Sequence, residues 1–180
     1  PRRYALAVTY DRILFALVLP DVTGSGGSTI LVTASIDGGA SFREIARFVA
    51  GSVVSSPDLS RTADGGWLLL LRQAEEQGRF SIAFTTSGDG GTWSTIAPLV
   101  TDPSLTQNIQ PHHAVFGGRE YVAFQSRVGA NDQVYLKISA DGSSFRWAGF
   151  DPGSLKMVAK LARERAVEAP DTRVVVVPDE

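Results

Sequence analysis

A short phrase recurs along this chain at a fixed interval of 52 residues. Ser35-Ile36-Asp37-Gly38-Gly39-Ala40-Ser41-Phe42 is followed by Ser87-Gly88-Asp89-Gly90-Gly91-Thr92-Trp93, and then by Ser139-Ala140-Asp141-Gly142-Ser143-Ser144-Phe145. The serines, the aspartates and the Gly39, Gly91 and Ser143 positions stay in step across all three copies. A period near 50 marks one supersecondary unit laid down repeatedly, as in a β-propeller or a related array.

Each unit reads as four short strands. In the second copy, Leu59–Ala63 is a strand, Asp64-Gly65-Gly66 a tight turn, and Trp67–Arg72 an apolar run suited to a strand covered on both faces. A polar loop, Gln73–Gly78, precedes a third strand at Arg79–Thr86. The recurring phrase then turns the chain into a fourth, Ser94–Val100. The third copy repeats this with His113–Phe116, the Gly117-Gly118 turn, Tyr121–Phe124, a loop at Arg127–Asp132 and a strand at Gln133–Ile138. The first does so with Leu6–Val8, Ile13–Leu19 and Thr29–Ala34. Within the phrase, aspartate accepts backbone N–H bonds, glycine takes left-handed geometry, and the closing aromatic is expected in the blade's own core.

The phrase resembles the Asp box, or BNR repeat, S-x-D-x-G-x-[ST]-[FW], of sialidase-like β-propellers. The first copy matches throughout. The second and third are one residue short before the aromatic, and the third has Ser143 where glycine is usual. The resemblance covers residues 3–150 and implies an all-β fold. Three four-stranded antiparallel blades (about 3–50, 53–102 and 109–150) would form part of a six- or seven-bladed propeller. It also implies structural roles, on the hairpins away from any active site, for Ser35, Asp37, Gly39 and Phe42, for Ser87, Asp89, Gly91 and Trp93, and for Ser139, Asp141 and Phe145. Asp-box proteins are often secreted or surface-exposed, so an extracytoplasmic location is expected. Three blades cannot close a ring, because propellers have four to eight. The partners expected are further blades, from the same protein, another copy or another subunit. The chain opens at Pro1 rather than Met, consistent with a removed leader or a piece of a longer protein.

Binding groups belong on the loops of the opposite face. The candidates there are Arg3, Asp21, Glu75, Glu76, Arg79, His112, Arg127, Asn131 and Asp132, with Arg3, His112, Arg127 and Asp132 as the ligand-binding set. Arg127 suits a ligand carboxylate, or stands as a solvated arginine partnering Asp132. Sialidases of the resembling family use three arginines, an acid/base aspartate and a Tyr/Glu nucleophile. Arg2-Arg3-Tyr4-Ala5 partly matches the first arginine phrase, but the loop Pro20–Ser28 has no arginine, and its one carboxylate, Asp21, comes early. No catalytic residue is therefore assigned. The expected function is a non-catalytic scaffold or binding module for a glycan or protein. The alternative is part of a sialidase-type glycoside hydrolase whose remaining catalytic groups lie on other blades.

Composition narrows the rest. Net charge is −2 with 20% charged residues, so no basic surface recruits nucleic acid or anionic lipid. The apolar runs Ile13–Leu19 and Trp67–Leu71 are too short to insert across a membrane. There is no cysteine, and His112 and His113, the two histidines, are adjacent and would point to opposite faces of a strand, so no metal and no cofactor is expected. After Phe150 the repeat stops. Asp151-Pro152 resembles a helix start, a helix is predicted over about 152–168, and Thr172–Val177 reads as a strand.

The hairpin role makes a mutational prediction. Asp89→Ala lowers the melting temperature by several degrees and leaves ligand affinity unchanged. A thermal scan beside a binding isotherm checks both.

Overall fold

The computed structural model describes residues 3–20, 26–102, 104–128 and 131–147. The predicted helix–strand extension at 151–180 lies outside them. The described residues form three four-stranded antiparallel sheets, each a contiguous meander. Blade 1 is β1 (Tyr4–Val8), β2 (Ile13–Pro20), β3 (Ser28–Ser35) and β4 (Arg43–Ala50). Blade 2 is β5 (Val54–Arg61), β6 (Trp67–Ala74), β7 (Phe80–Ser87) and β8 (Ala97–Pro98). Blade 3 is β9 (Ile109–Phe116), β10 (Arg119–Val128), β11 (Asn131–Ser139) and β12 (Arg146–Trp147). Between β6 and β7 lies a 3₁₀ turn, Glu76–Gly78. The first strands of successive blades lie side by side, β1 against β5 and β5 against β9, so they form the innermost layer.

Sequence alternation explains how the blades stack. In β2 every second residue, Leu14, Ala16 and Val18, is buried, and these meet Leu59, Trp67, Leu69 and Leu71 of blade 2. The intervening Leu68 and Leu70 point the other way, into a second core with Val122 and Phe124 of blade 3. That is why Trp67–Leu71 is buried at every position: blade 2 has a neighbour on both faces. Each such leucine contributes about 1.5–3 kcal/mol by leaving water.

The two junctions differ in chemistry. Blades 1 and 2 meet mainly through apolar side chains, with the Val54 N–H donating to Ser28 Oγ at 3.1 Å and Arg12 to the Asp89 carbonyl at 3.3 Å. Between blades 2 and 3, the His113 ring is clamped at Nδ1 by Ser60 Oγ, 2.6 Å away, and at Nε2 by Glu120. The other Glu120 oxygen accepts the Ala63 N–H at 2.6 Å, so this carboxylate ties blade 3 to the blade 2 backbone. Two residues before the third phrase, Lys137 donates to the Leu99 carbonyl at 2.6 Å and lies over the Trp147 ring; burial pushes its pKa down.

Several expectations are corrected. The first strand of blade 2 begins at Val54 rather than Leu59. An innermost edge strand tolerates Pro57, and a bulge between Ser55 and Asp58 absorbs it. The fourth strand of blade 2 shrinks to two residues. Ser94 Oγ takes the Thr86 N–H that a ladder carbonyl would take, and Pro98 has no N–H to donate. The strands β10 and β11 reach Val128 and Asn131, so Arg127 and Asp132 sit opposite each other in the ladder rather than in a loop. Two of the phrase aromatics do not fill their own blade's core, whereas Phe42 meets Phe15 of its own blade. Trp93 stacks on Phe48 of blade 1 at 6.0 Å between centroids, and Phe145 meets Phe84 of blade 2 at 5.4 Å.

The clamp at the second junction sets a stability expectation. Glu120→Ala leaves the buried His113 Nε2 without its carboxylate partner and frees the Ala63 N–H, a loss of about 1–3 kcal/mol in urea unfolding.

Candidate functional site

Two innermost strands carry the same unusual segment. In Ser56-Pro57-Asp58 and Gln110-Pro111-His112, the residue before proline has a positive φ, 48° at Ser56 and 51° at Gln110. Both are non-glycine residues, and each such conformation costs on the order of 1–3 kcal/mol unless its surroundings enforce it. Here the enforcement is shared: each proline is buried, and each segment is a bulge against the second strand of its blade. The residue that follows is presented at one equivalent place, Asp58 opposite Leu70 and His112 opposite Ala123. In blade 1 that place is held by Ala5, opposite Ala16 and preceded by Arg3 and Tyr4.

Asp58 and His112 come together on this inner rim. Asp58 Oδ1 lies 3.7 Å from His112 Nδ1, and the His112 side chain is 62% exposed. Asp58 Oδ2 accepts the His113 backbone N–H at 2.9 Å. The carboxylate is thus fixed by the strand whose next side chain, His113, is locked between Ser60 and Glu120. An anchored acceptor beside an exposed imidazole suits a ligand rich in hydroxyl groups.

Of the ligand-binding set read from the sequence, His112 lies on the innermost strand β9 and Arg3 directly precedes β1; both are exposed. Arg127 and Asp132 face one another across β10 and β11, Arg127 being exposed; Asn131 and Asp132 are described by their backbone alone. Glu75 and Arg79 form a 3.8 Å ion pair in the β6–β7 loop, with Glu76 in the 3₁₀ turn between them. Asp21 lies outside the described residues. The sequence reading missed Asp58, Ser60 and Glu120. A signal for the first was present: the two x-Pro-[Asp/His] segments stand 54 residues apart, almost the period of the phrase.

The recurring phrases lie at the opposite ends of the blades, on the β3–β4, β7–β8 and β11–β12 connections. Asp37 accepts Ser35 Oγ at 2.7 Å, and the N–H and Oγ of Ser41 at 3.0 and 2.5 Å. Asp89 accepts the N–H groups of Gly91 and Thr92, both at 2.8 Å, and Asp141 those of Ser143 and Ser144, both at 2.9 Å. Gly38, Gly90 and Gly142 all take the left-handed conformation that lets the turn close. A cleft of about 140 Å³ opens on this side between blades 2 and 3, among Thr62, Asp64, Thr86, Asp141 and Ser143. Among the described residues, no three His, Cys, Asp or Glu side chains gather in a way that could hold a metal ion.

No family model matches the chain, and no curated protein does either. Solved structures do. The Penicillium chrysogenum α-L-arabinanase complexed with arabinobiose superposes with a TM-score of 0.61 at 16% identity, covering 78% of this chain and 46% of that one. The family 93 α-L-arabinofuranosidase of Fusarium graminearum, also with arabinobiose, gives 0.62 at 16% identity with the same coverages, 78% and 46%. A family 117 glycoside hydrolase of the marine bacterium Zobellia galactanivorans gives 0.60 at 12%, covering 84% and 56%. These likenesses, with the three stacked sheets, show a β-propeller fold of the kind found in propeller glycoside hydrolases. The chain spans about half the length of these structures.

The turn carboxylates give the fold a pH signature. Hydrogen bonds hold all three below the ordinary aspartate range, chiefly from Ser41 Oγ for Asp37, the Thr92 N–H for Asp89 and the Ser144 N–H for Asp141. A depressed folded-state pKa contributes stability above the unfolded value, near 4, that is lost as pH falls through the folded one. Urea midpoints are expected to fall below about pH 4. Asp89→Asn should flatten that acid limb.

Proposed function

We propose that this chain is a carbohydrate-binding part of a β-propeller, non-catalytic in itself, which holds sugar hydroxyls on the rim of its innermost strands through Asp58 and His112. The observation that carries this reading is the strained x-Pro segment, built twice and each time presenting a polar side chain at the same inner position. Backbone strain maintained at two equivalent places is costly for a scaffold and suits a site that must present groups accurately. Asp58 offers an acceptor fixed by the His113 N–H, and His112 an exposed ring that donates or accepts. The nature of the structural neighbours supports a sugar over a protein ligand: two hold arabinobiose, and another is a levansucrase. Exposed Arg3, just before β1, and exposed Arg127, near the end of β10, are further candidate contacts.

A second reading is favoured by one fact. Asp58 is the one carboxylate on β1, β5 and β9, partly exposed and held in place. Glycoside hydrolysis needs two carboxyl groups flanking the scissile bond. In that reading, the chain is part of a glycoside hydrolase, of sialidase or another propeller type, and Asp58 pairs with an acid on a further blade.

One titration with arabinobiose and with levan- and mannan-derived oligosaccharides separates these readings. For the binding module, wild-type protein binds one of them without cleaving it. Asp58→Asn and His112→Ala then each weaken binding at least about tenfold, with unchanged melting temperature. Release of reducing sugar that Asp58→Asn abolishes supports the hydrolase instead. Absence of binding to any of these sugars, or binding indifferent to both substitutions, overturns the assignment.

A further inference from the structure

The hydrogen-bonded chain that joins blades 2 and 3 is ordered like a nucleophile with its base. Ser60 Oγ lies 2.6 Å from His113 Nδ1, and His113 Nε2 meets Glu120 Oε2. The second Glu120 oxygen takes the Ala63 N–H, so this carboxylate serves as an acceptor on both sides. An acceptor at Nε2 keeps the ring proton there and leaves the Nδ1 lone pair to the Ser60 hydroxyl. The imidazole and the carboxylate are buried, whereas Ser60 is partly exposed.

The backbone beside Ser60 supplies a further group that such a nucleophile needs. Thr62 donates to the Gly66 carbonyl at 3.1 Å, and the register continues with Arg61 opposite Trp67 and Ser60 opposite Leu68. N–H groups alternate in direction along an edge strand. Those of Thr62 and Ser60 therefore face β6, and those of Ala63 and Arg61 face away from it. Glu120 takes the Ala63 N–H, while the Arg61 N–H has no partner among the described residues. The N–H that follows a nucleophilic serine is well placed to stabilise the oxyanion formed on attack. Asp58 stands two residues before Ser60 on the same face of β5, about 7 Å along the strand. A sugar on the Asp58–His112 rim thus lies beside this hydroxyl.

We propose that Ser60, with His113 as its base, is an acyl acceptor that removes O-acyl esters from the bound sugar. Ser60 Oγ adds to the ester carbonyl as its proton passes to His113 Nδ1. The bond between the carbonyl carbon and the sugar oxygen breaks, and that oxygen takes the proton from Nδ1. Water then repeats the sequence on the Ser60 ester and releases the carboxylic acid. Glu120 faces the imidazolium formed at each attack. This adds ester chemistry to a chain that otherwise holds sugars without breaking them, and it rests on that reading only for where the sugar lies.

Treating the full 180-residue chain with a fluorophosphonate, p-nitrophenyl acetate and O-acetylated arabinobiose tests it. The fluorophosphonate, which loses fluoride to the same attack, is expected to mark Ser60 in peptide mass maps. Both esters are expected to release acetate, and Ser60→Ala should slow that release at least about a hundredfold while circular dichroism shows a folded chain. In Ser60→Cys, the neighbouring imidazole should let iodoacetamide alkylate the thiol with a pH midpoint clearly below the ordinary value of about 8.5. An unmarked Ser60, acetate release that survives Ser60→Ala, or an ordinary thiol titration in Ser60→Cys overturns the proposal. Arabinobiose binding without acetate release from its ester also overturns it, and leaves the binding reading standing. A marked Ser60 in a chain indifferent to arabinobiose supports the nucleophile and sinks the binding reading instead.

Discussion

A sheet with two apolar faces is stable in water only when both are covered, and this requirement organises the molecule. Blade 2 meets it fully: Leu69 and Leu71 are buried on one side, and Leu68 and Leu70 on the other. Among the described residues, blades 1 and 3 meet it on one side each. Everything near the inner layer follows from how closely the sheets must approach. Gly90 shows how closely: a Cβ there would lie 3.0 Å from a methyl of Leu14, across the first junction. A side chain at that turn would push the two blades apart.

The junctions also explain why the inner rim is rigid. Asp58 is positioned by a backbone N–H of the neighbouring blade, and that strand is pinned by the Ser60–His113–Glu120 chain of hydrogen bonds. A buried polar network of this kind is favourable only when its members are satisfied, and then it fixes one arrangement rather than a family of similar ones. The geometry of the rim is therefore a property of two blades together. Neither sheet alone would hold Asp58 and His112 at their observed separation.

Much of the architecture was legible because it is carried by local chemistry. Asp-Gly turns and alternating apolar residues identify hairpins and strands without reference to the rest of the chain, and the three meanders fall where those signals place them. What was not legible depends on contacts between blades. Pro57 and its serines look like loop until an innermost edge accommodates them. Trp93 and Phe145 look like residues of their own blade until the preceding one is in place. Arg127 and Asp132 look like loop ends because nothing local tells how far a hairpin ladder continues. The opposite fates of the adjacent histidines did follow from strand geometry: His112 is exposed and His113 buried. Glu120 gave no sign, since an acid replacing Trp67 at an equivalent position gains meaning only from the histidine it faces.

Because each blade is an unbroken stretch of chain, its sheet can form as soon as that stretch leaves the ribosome. Hairpins close in microseconds, whereas synthesis at about 5–20 residues per second takes seconds to deliver the next 52-residue unit. The buried side of blade 1, with Leu14, Ile30 and Val32, therefore waits uncovered for a time set by translation and not by folding. For a nascent chain of this design, codon speed through blade 2 governs how long an adhesive surface is on offer to chaperones and to neighbouring chains.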